Sequence, residues 1–493
     1  MTISRFALSP GGLSHGLVRG VWPVAFAACV VVVAGCANFG PEHPPLARTV
    51  PAALGLGLDV PSSALASPRW WTALGDSRLD PLVDQALKGN PNLAVVRARL
   101  DRAASLAEVS RAAARPQFTL GADVTRQRYT ENGLIPPPIA GEVRDNASVQ
   151  GNFSWSPDLL GGHAAEIASA RDQARAAQAE VAAAATGLAA QVSRSYVALA
   201  RLLAQREVAQ RTLSQRGEFL GLTRQRTSAG LDSQVELTQA EGALPDARAQ
   251  IEALDEQIML GRRQIAVLTG QAPTALDTLS PSLDALRLDA TPVTLGADLL
   301  GRRADVVAAR WRVESATQDV TVARVQFYPN INLTAFIGLS ALGLGNLLDF
   351  GSRQYGVTPA LRLPIFDGGR LRAQLGGRQA DLDVAIAQYN GVLLDAVREA
   401  GDAIGSEQSL LRQQAEQVAA LASAEKAYAF SVQRYQAGLS AYVVVLNTET
   451  HLLAQRRLAV DLRARQFDTR VALMKALGGG WTDDTAALDF AVH

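Results

Sequence analysis

Few residues in this sequence have the types and spacing that chemistry requires. The only cysteines are Cys29 and Cys36, so nothing after Cys36 can form a disulfide or a thiolate metal site. The five histidines are scattered, and no two stand at the spacing of metal ligands. They are His15, His43, His163, His451 and His493. Ser423 and Lys426 match the serine–lysine pair of penicillin-binding enzymes, but they lie in an alanine-rich helical stretch without the partner motifs. The sequence therefore predicts no enzyme, no cofactor and no metal.

Cys36 has a predicted role as a site of lipid attachment. Arg5 and Arg19 precede an apolar run over residues 21–34, which is typical of a secretory signal. The small residues before Cys36 resemble a bacterial lipobox, which implies cleavage before Cys36 and a lipid on its thiol. An ordinary signal peptide with an incidental cysteine is the alternative. Alanine at position 37, where aspartate would retain a lipoprotein in the inner membrane, is consistent with outer-membrane sorting.

Composition limits the possible partners. The chain has 493 residues, with 47 basic and 47 acidic side chains, and no basic face that would favour nucleic acid. Apolar residues make up 48% but aromatic residues only 5%, which favours alanine-rich helices. After the signal no apolar run has the length of a membrane helix, so a chain that spans a membrane would have to use strands.

The mature chain is predicted to be an internal duplication. The segment 225–231 recurs as 433–439, with its glycine displaced by 208 residues. Pro157 and Pro364 are 207 residues apart, and each precedes a pair of glycines. Pro116 and Pro329 are 213 residues apart. Three markers in one order at nearly one spacing indicate two copies of a single unit.

Each copy is predicted to contain a helix, two strands, a long helix, a tight turn and a return helix. In the first copy, residues 92–114 are helical in pattern, and strict alternation predicts strands over 118–124 and 147–155. In the second copy the strands are expected over 331–337 and 357–363, although Pro359 weakens the last. The apolar stretch 338–348 is predicted to be the connecting loop.

The long helices are predicted over 162–226 and 369–434, which contain no proline. At 1.5 Å per residue each could reach about 100 Å. A tight turn should end each long helix, since a glycine there can adopt the left-handed conformation of a helix cap. We call these two turns the tip turns. The turn residues are Gly230, Leu231, Gly438 and Leu439.

The return helices are predicted to start near Asp232 and Ser440, both of which are good N-caps. Pro245 is predicted to kink the first of them.

The strand pattern fits a membrane barrel. One face of each strand is apolar and the other carries small polar residues, as in a barrel with lipid outside and water inside. A soluble sheet with one face on a core shows the same alternation. Because four strands cannot close a barrel, other copies of the chain would have to complete it.

With these features the chain resembles the TolC-like outer-membrane factors, in the NodT/OprM-like lipoprotein branch that serves resistance-nodulation-division pumps. The opening Gly40-Pro41 and the segment Trp70-Trp71-Thr72-Ala73-Leu74-Gly75-Asp76 are similar to the start of that family. Leu299-Leu300-Gly301-Arg302-Arg303-Ala304-Asp305 looks like another family segment, with Ala304 where proline is usual. Leu363-Pro364-Ile365-Phe366-Asp367-Gly368-Gly369-Arg370 is the most specific match.

The resemblance implies an α+β, mainly helical fold. Three chains would form a 12-stranded barrel in the outer membrane and a long periplasmic helical barrel, through which drugs or other small toxic compounds leave. The partners implied are a periplasmic adaptor, an inner-membrane pump and outer-membrane lipid. The expected segments are a signal peptide 1–35, a lipid-anchored extended segment 36–69, repeats 70–275 and 290–480, and a tail 481–493.

The resemblance also implies a gate at the tip turns. Glu236 stands where the family has an acidic residue, and Tyr435 stands where it has an aromatic one; Arg434 precedes the latter. In the family such groups can bond across the closed tip. Val444 and Asn447 stand where aspartates are common, which leaves cation selectivity open.

Two other interpretations remain. A lipid-anchored periplasmic coiled-coil scaffold with a small soluble sheet would have no pore. An exit duct of a type I protein secretion system would keep the fold and change the cargo, although the lipobox and the paired tryptophans favour small-molecule efflux.

Overall fold

The computed structural model describes residues 39, 44–50, 69–288 and 302–481. The predicted signal peptide, Cys36, Gly40-Pro41, Leu299-Leu300-Gly301 and the tail after residue 481 lie outside the described residues. The chain divides into two compact units. The first is drawn from Met1–Leu46, Ser105–Arg171 and Glu314–Val384, and the second from Ala47–Ala104, Asp172–Val313 and Ala385–His493.

The elements repeat one order twice, which confirms the duplication. A short 3₁₀ helix, Trp70–Leu74, and helix α1, Leu79–Gly89, come first. The first copy is α2 (Pro91–Ala113), β1 (Gln117–Arg128), β2 (Val143–Trp155), α3 (Gly162–Ser228) and α4 (Gln234–Leu268). The second copy is α5 (Ala304–Val325), β3 (Asn330–Leu342), β4 (Arg353–Arg362), α6 (Arg370–Gln436) and α7 (Tyr442–Ala476).

The two copies also agree in helix length. Both long helices have 67 residues, and both return helices have 35. A helix of that length extends about 100 Å, as expected from the sequence. Pro245 lies inside α4, which continues past it. Among the described helices, none is both long enough and apolar enough to cross a membrane.

The first unit contains a single antiparallel sheet in the order β1-β2-β3-β4. The register places apolar side chains opposite one another, such as Phe118 with Phe153 and Ile331 with Leu361. Pro359 lies in the edge strand β4 opposite Leu333, and an edge is where a sheet tolerates proline. The sheet therefore has one apolar face, and its edge strands β1 and β4 each have one open side among the described residues.

One strand boundary differs from the prediction. Residues 338–348 were expected to form the connecting loop, but β3 continues through Leu342. Gly338 pairs with Gln150 of β2. A Cβ atom at this position would lie only 2.2 Å from the carbonyl oxygen of Val149, so the close pairing requires glycine. Glycine thus permits close strand pairing here instead of ending the strand.

Equivalent aspartates begin the two long helices. The carboxylate of Asp158 accepts hydrogen bonds from the backbone N–H groups of His163 and Ala164, at 3.1 and 2.8 Å. That of Asp367 accepts from Gly369 and Leu371, at 3.0 and 2.8 Å. Each side chain satisfies N–H groups that a helix N-terminus otherwise leaves unpaired.

In the second unit, the residues that carry the family resemblance hold helices together. Trp70 and Trp71 are buried in the main apolar cluster with α1, α3 and α4. The carboxylate of Asp76 accepts a hydrogen bond of 2.6 Å from the Tyr196 hydroxyl on α3. Burial raises the pKa of Tyr196, and the adjacent Asp76 raises it further. The paired tryptophans and the aspartate are therefore structural anchors.

Arg303 is a second anchor. Its buried guanidinium contacts the carboxylates of Asp305 and Glu399, at 2.7 and 3.0 Å, and so joins α5 to α6. Burial alone would raise the pKa of Asp305, but the hydrogen bonds from Arg303 outweigh it and the pKa is lowered. Ala304 is the first residue of α5, a position at which proline fits as well as alanine.

Candidate functional site

The two tip turns have the same backbone geometry. Gly230 and Gly438 have φ values of 73° and 74°. The N–H of Leu231 donates to the carbonyl of Arg226 at 2.9 Å, and that of Leu439 to the carbonyl of Arg434 at 2.8 Å. This bond pattern closes a helix through a left-handed glycine. A side chain at either position would meet open space. Glycine is therefore required by the left-handed backbone conformation and not by a lack of room.

Leu231 and Leu439, by contrast, point outward at the turns. They are 66% and 68% exposed in the single chain. An exposed leucine at the same place in both repeats marks the turns as a surface that other molecules could cover.

The return helices begin differently from the prediction. The N-cap of α4 is Ser233, and that of α7 is Ala441, so the predicted caps Asp232 and Ser440 were each wrong by one residue. Ser233 forms a capping box with Glu236, whose carboxylate accepts from the Ser233 N–H at 2.9 Å. The hydrogen bond from the Ser233 side chain lowers the pKa of Glu236.

Asp232 is not a cap because it forms an ion pair. Its carboxylate accepts from Nε and Nη2 of Arg226, at 3.0 and 3.3 Å, across the first tip turn. Both side chains are largely buried. The Tyr435 hydroxyl donates a second hydrogen bond to the same carboxylate. Asp232 therefore connects the first turn to the end of α6.

Tyr435 is the centre of this cluster and is fully buried. Its ring stacks on Phe219 with centroids 5.3 Å apart, and the guanidinium carbon of Arg226 lies 4.7 Å from its centroid. Tyr442, the first residue of α7, is 5.7 Å from it. With Leu220, Ala240 and Val445, this cluster joins the ends of all four long and return helices. We call it the tip cluster.

The pKa shifts in the tip cluster preserve its ionisation states. Burial alone would raise the pKa of Asp232, but the hydrogen bonds from Arg226 and Tyr435 outweigh it and the pKa lies below its ordinary value of 3.8. Burial raises the pKa of Tyr435, and the bond to Asp232 adds to this. Burial raises the pKa of Tyr442 to about 12. At neutral pH the cluster thus contains a carboxylate, a guanidinium and neutral phenols.

The predicted gate residues do not meet within one chain. Glu236 contacts Ser233, Tyr435 contacts Asp232, and the Arg434 guanidinium lies 3.5 Å from the Leu439 carbonyl oxygen. Arg434 is the repeat equivalent of Arg226, but serine occupies the position of its acid partner. The hydroxyl oxygen of that serine, Ser440, is buried without a hydrogen-bond partner in the described chain. The repeat is thus asymmetric at its tip.

Sequence reasoning missed the roles of Arg226 and Asp232. The signal was present, because an arginine and an aspartate six residues apart flank a left-handed glycine, and the turn brings their side chains together. Val444 and Asn447 are both exposed in the first two turns of α7. Within the residues described, no cluster of three or more His, Cys, Asp or Glu side chains could hold a metal ion.

Comparisons with known proteins identify relatives of this chain. The family profile described as "Outer membrane efflux protein" matches residues 82–271 and 295–479. The chain is 36% identical over 374 residues to the fusaric acid resistance protein FusA of Burkholderia cepacia, a match that covers 73% of this chain and 70% of that protein. It is 29% identical over 463 residues to the multidrug resistance outer membrane protein MdtP of Shigella flexneri, which covers 91% and 94%.

A solved structure supports the same relationship. The outer membrane protein VceC of Vibrio cholerae superposes with a TM-score of 0.80 at 34% identity, covering 85% of this chain and all of that chain. The predicted fold is thereby confirmed as mainly helical, with four antiparallel strands and two repeats of the matched family.

Proposed function

The chain belongs to the outer membrane efflux protein family, so it is an efflux channel and not an enzyme; from this premise we propose that it works as a lipid-anchored homotrimer. The sheet carries this proposal. Its two edge strands have an open side, and its apolar face is exposed, with Leu120 at 73% and Tyr355 at 82%. Three such sheets, joined edge to edge, would give a closed barrel of twelve strands without open edges.

The proposed cargo is a drug or another small toxic compound. FusA and MdtP are named for resistance to fusaric acid and to multiple drugs. Because this chain is a relative of both, their names support the same class of cargo here. The energy would come from an inner-membrane pump, connected through a periplasmic adaptor. A lipid on Cys36, which lies outside the described residues, would hold the N-terminus at the outer membrane.

The tip turns are the proposed gate and adaptor-docking surface. Through Tyr435, the tip cluster would hold the helix ends of each chain together in the closed state. Arg434 and Glu236 remain on the surface, where neighbouring chains or the adaptor could reach them. The exposed Leu231 and Leu439 support docking at this end.

The native mass of the mature protein, extracted from outer membranes in mild detergent, tests the proposal. A mass of three chains, resistant to dissociation, is expected for a closed barrel. A monomer mass would leave four strands with open edges and would contradict the proposed closed trimer. Mass spectrometry of the N-terminal peptide tests lipidation independently, because acylated Cys36 adds the mass of its acyl chains.

A further inference from the structure

The turns from strand to long helix carry exposed apolar pairs at equivalent places in both repeats. After β2, Leu159 and Leu160 are 62% and 47% exposed. After β4, Ile365 and Phe366 are 91% and 92% exposed. The aspartate caps of α3 and α6 lie beside these pairs. An apolar pair that its own chain leaves uncovered, in the same place twice, requires an occupant.

The position of the pairs along the chain indicates what that occupant is. Leu361 is the last residue of the apolar face on β4, where it pairs with Ile331, and it is 68% exposed. Ile365 and Phe366 follow after three residues, so exposed apolar side chains continue from the sheet face into the turn. In a membrane barrel an apolar outer face of this kind contacts lipid.

The start of the chain gives an independent reason to place lipid at this end. The ring of Phe39 packs on Phe327 and Tyr328, with centroids 5.0 and 6.0 Å apart. Those two residues precede β3, at the sheet end that includes Trp155. Cys36 is three residues before Phe39, so chain length alone keeps the two Cα atoms within about 11 Å of each other. A lipid on Cys36 would have to enter the bilayer here.

We propose that the pairs Leu159–Leu160 and Ile365–Phe366 lie in the periplasmic leaflet of the outer membrane, in contact with lipid acyl chains. Arg370, whose guanidinium contacts the Gln374 side chain at 3.1 Å, then lies at the height of the headgroups. The lower boundary of the membrane falls at the first turns of α3 and α6, beyond the ends of the strands. This inference depends on the proposed barrel and lipid attachment.

Spin labelling of single cysteines tests the location. With Cys36 acylated, the mature chain would have no free thiol. The parent protein controls for any labelling of Cys36 itself. Phe366→Cys and Leu159→Cys report on the two turns. Leu120→Cys on the apolar sheet face is the lipid control, and Leu439→Cys, an exposed leucine at the tip, is the matched aqueous control. The protein is reconstituted in phosphatidylethanolamine–phosphatidylglycerol vesicles, and power saturation compares oxygen with the water-soluble relaxant nickel-EDDA.

We expect the labels that replace Phe366 and Leu159 to respond more strongly to oxygen than to nickel. The label that replaces Leu120 should respond in the same way, and the label that replaces Leu439 in the opposite way. If the Phe366 label behaves like the Leu439 label while the Leu120 label remains in lipid, this inference is overturned and the channel is left intact. If the Phe366 and Leu159 labels are shielded from both relaxants, a neighbouring chain is the occupant and lipid is excluded. If the Leu120 label also behaves like the Leu439 label, the proposed barrel itself fails. Only variants with the parent's oligomeric mass are compared.

Discussion

The Tyr435 hydroxyl joins α6 to the first tip turn by a hydrogen bond to Asp232. Tyr435→Phe removes this hydrogen bond and keeps the stacked ring, so we expect the closed tip to weaken by roughly 1.5–3 kcal/mol. Tyr435→Ala also removes the packing and should loosen it further. The measurement is uptake of vancomycin, a bulky antibiotic, by cells in which the variant is the only outer-membrane factor.

The matched control is Tyr428→Phe, which changes another tyrosine at the margin of the tip cluster and leaves Asp232 untouched. Its uptake should equal that of the parent. Unchanged uptake with Tyr435→Ala would contradict a role for this residue in closure.

Asp232 should make tip closure sensitive to acid. Its pKa in the folded chain lies below 3.8, so in acid the folded form binds fewer protons at this site than the unfolded form. Its stabilising contribution is therefore complete above about pH 4 and is lost as the pH falls through the lowered pKa. Asp232→Asn should remove this part of the pH dependence of thermal unfolding. Glu241→Gln, which breaks the exposed pair between Glu241 of α4 and Arg224 of α3, should leave it in place. Equal flattening by both variants would refute the assignment.

At the scale of elements, the two return helices differ in how they begin. Ser233 caps α4, whereas Ala441 at the equivalent place cannot cap α7. We expect Ser233→Ala to cost, and Ala441→Ser to gain, about 1 kcal/mol of local stability. Hydrogen exchange of the first-turn amides should accordingly become about fivefold faster in α4 and fivefold slower in α7. No change in α7 would mean that other contacts already protect its first turn.

The element pattern was predictable because it depends on local periodicity. Alternation located all four strands, and the absence of proline with a final glycine located both long helices. The remaining errors came from contacts distant in sequence. The local pattern alone predicts a loop at Gly338, because its close approach to β2 is not visible in a single strand. It predicts a cap at Asp232, because only the folded turn brings Arg226 and Tyr435 to that carboxylate.

At the scale of the whole molecule, charge selectivity depends on what a trimer would repeat three times. Val444 and Asn447 are exposed at the start of α7 and bear no charge, so a trimer has no acidic ring from these two positions. Asn447→Asp and Val444→Asp would each introduce three carboxylates near the proposed entrance, and a ring of carboxylates attracts cations. We expect the reversal potential of the channel in a planar bilayer, under a potassium chloride gradient, to shift toward cation selectivity.

The size of that shift should depend on salt. Screening shortens the reach of a charge from about 10 Å at 0.1 M to about 3 Å at 1 M salt, so the shift should be larger in dilute solution. Val444→Asn is the matched control, because it changes shape and polarity without charge and should leave the potential where it was. Asn447→Asp is nearly isosteric, so a shift there arises from charge alone. An unchanged potential in both aspartate variants would mean that the first turns of α7 face away from the narrowest part of the conducting path.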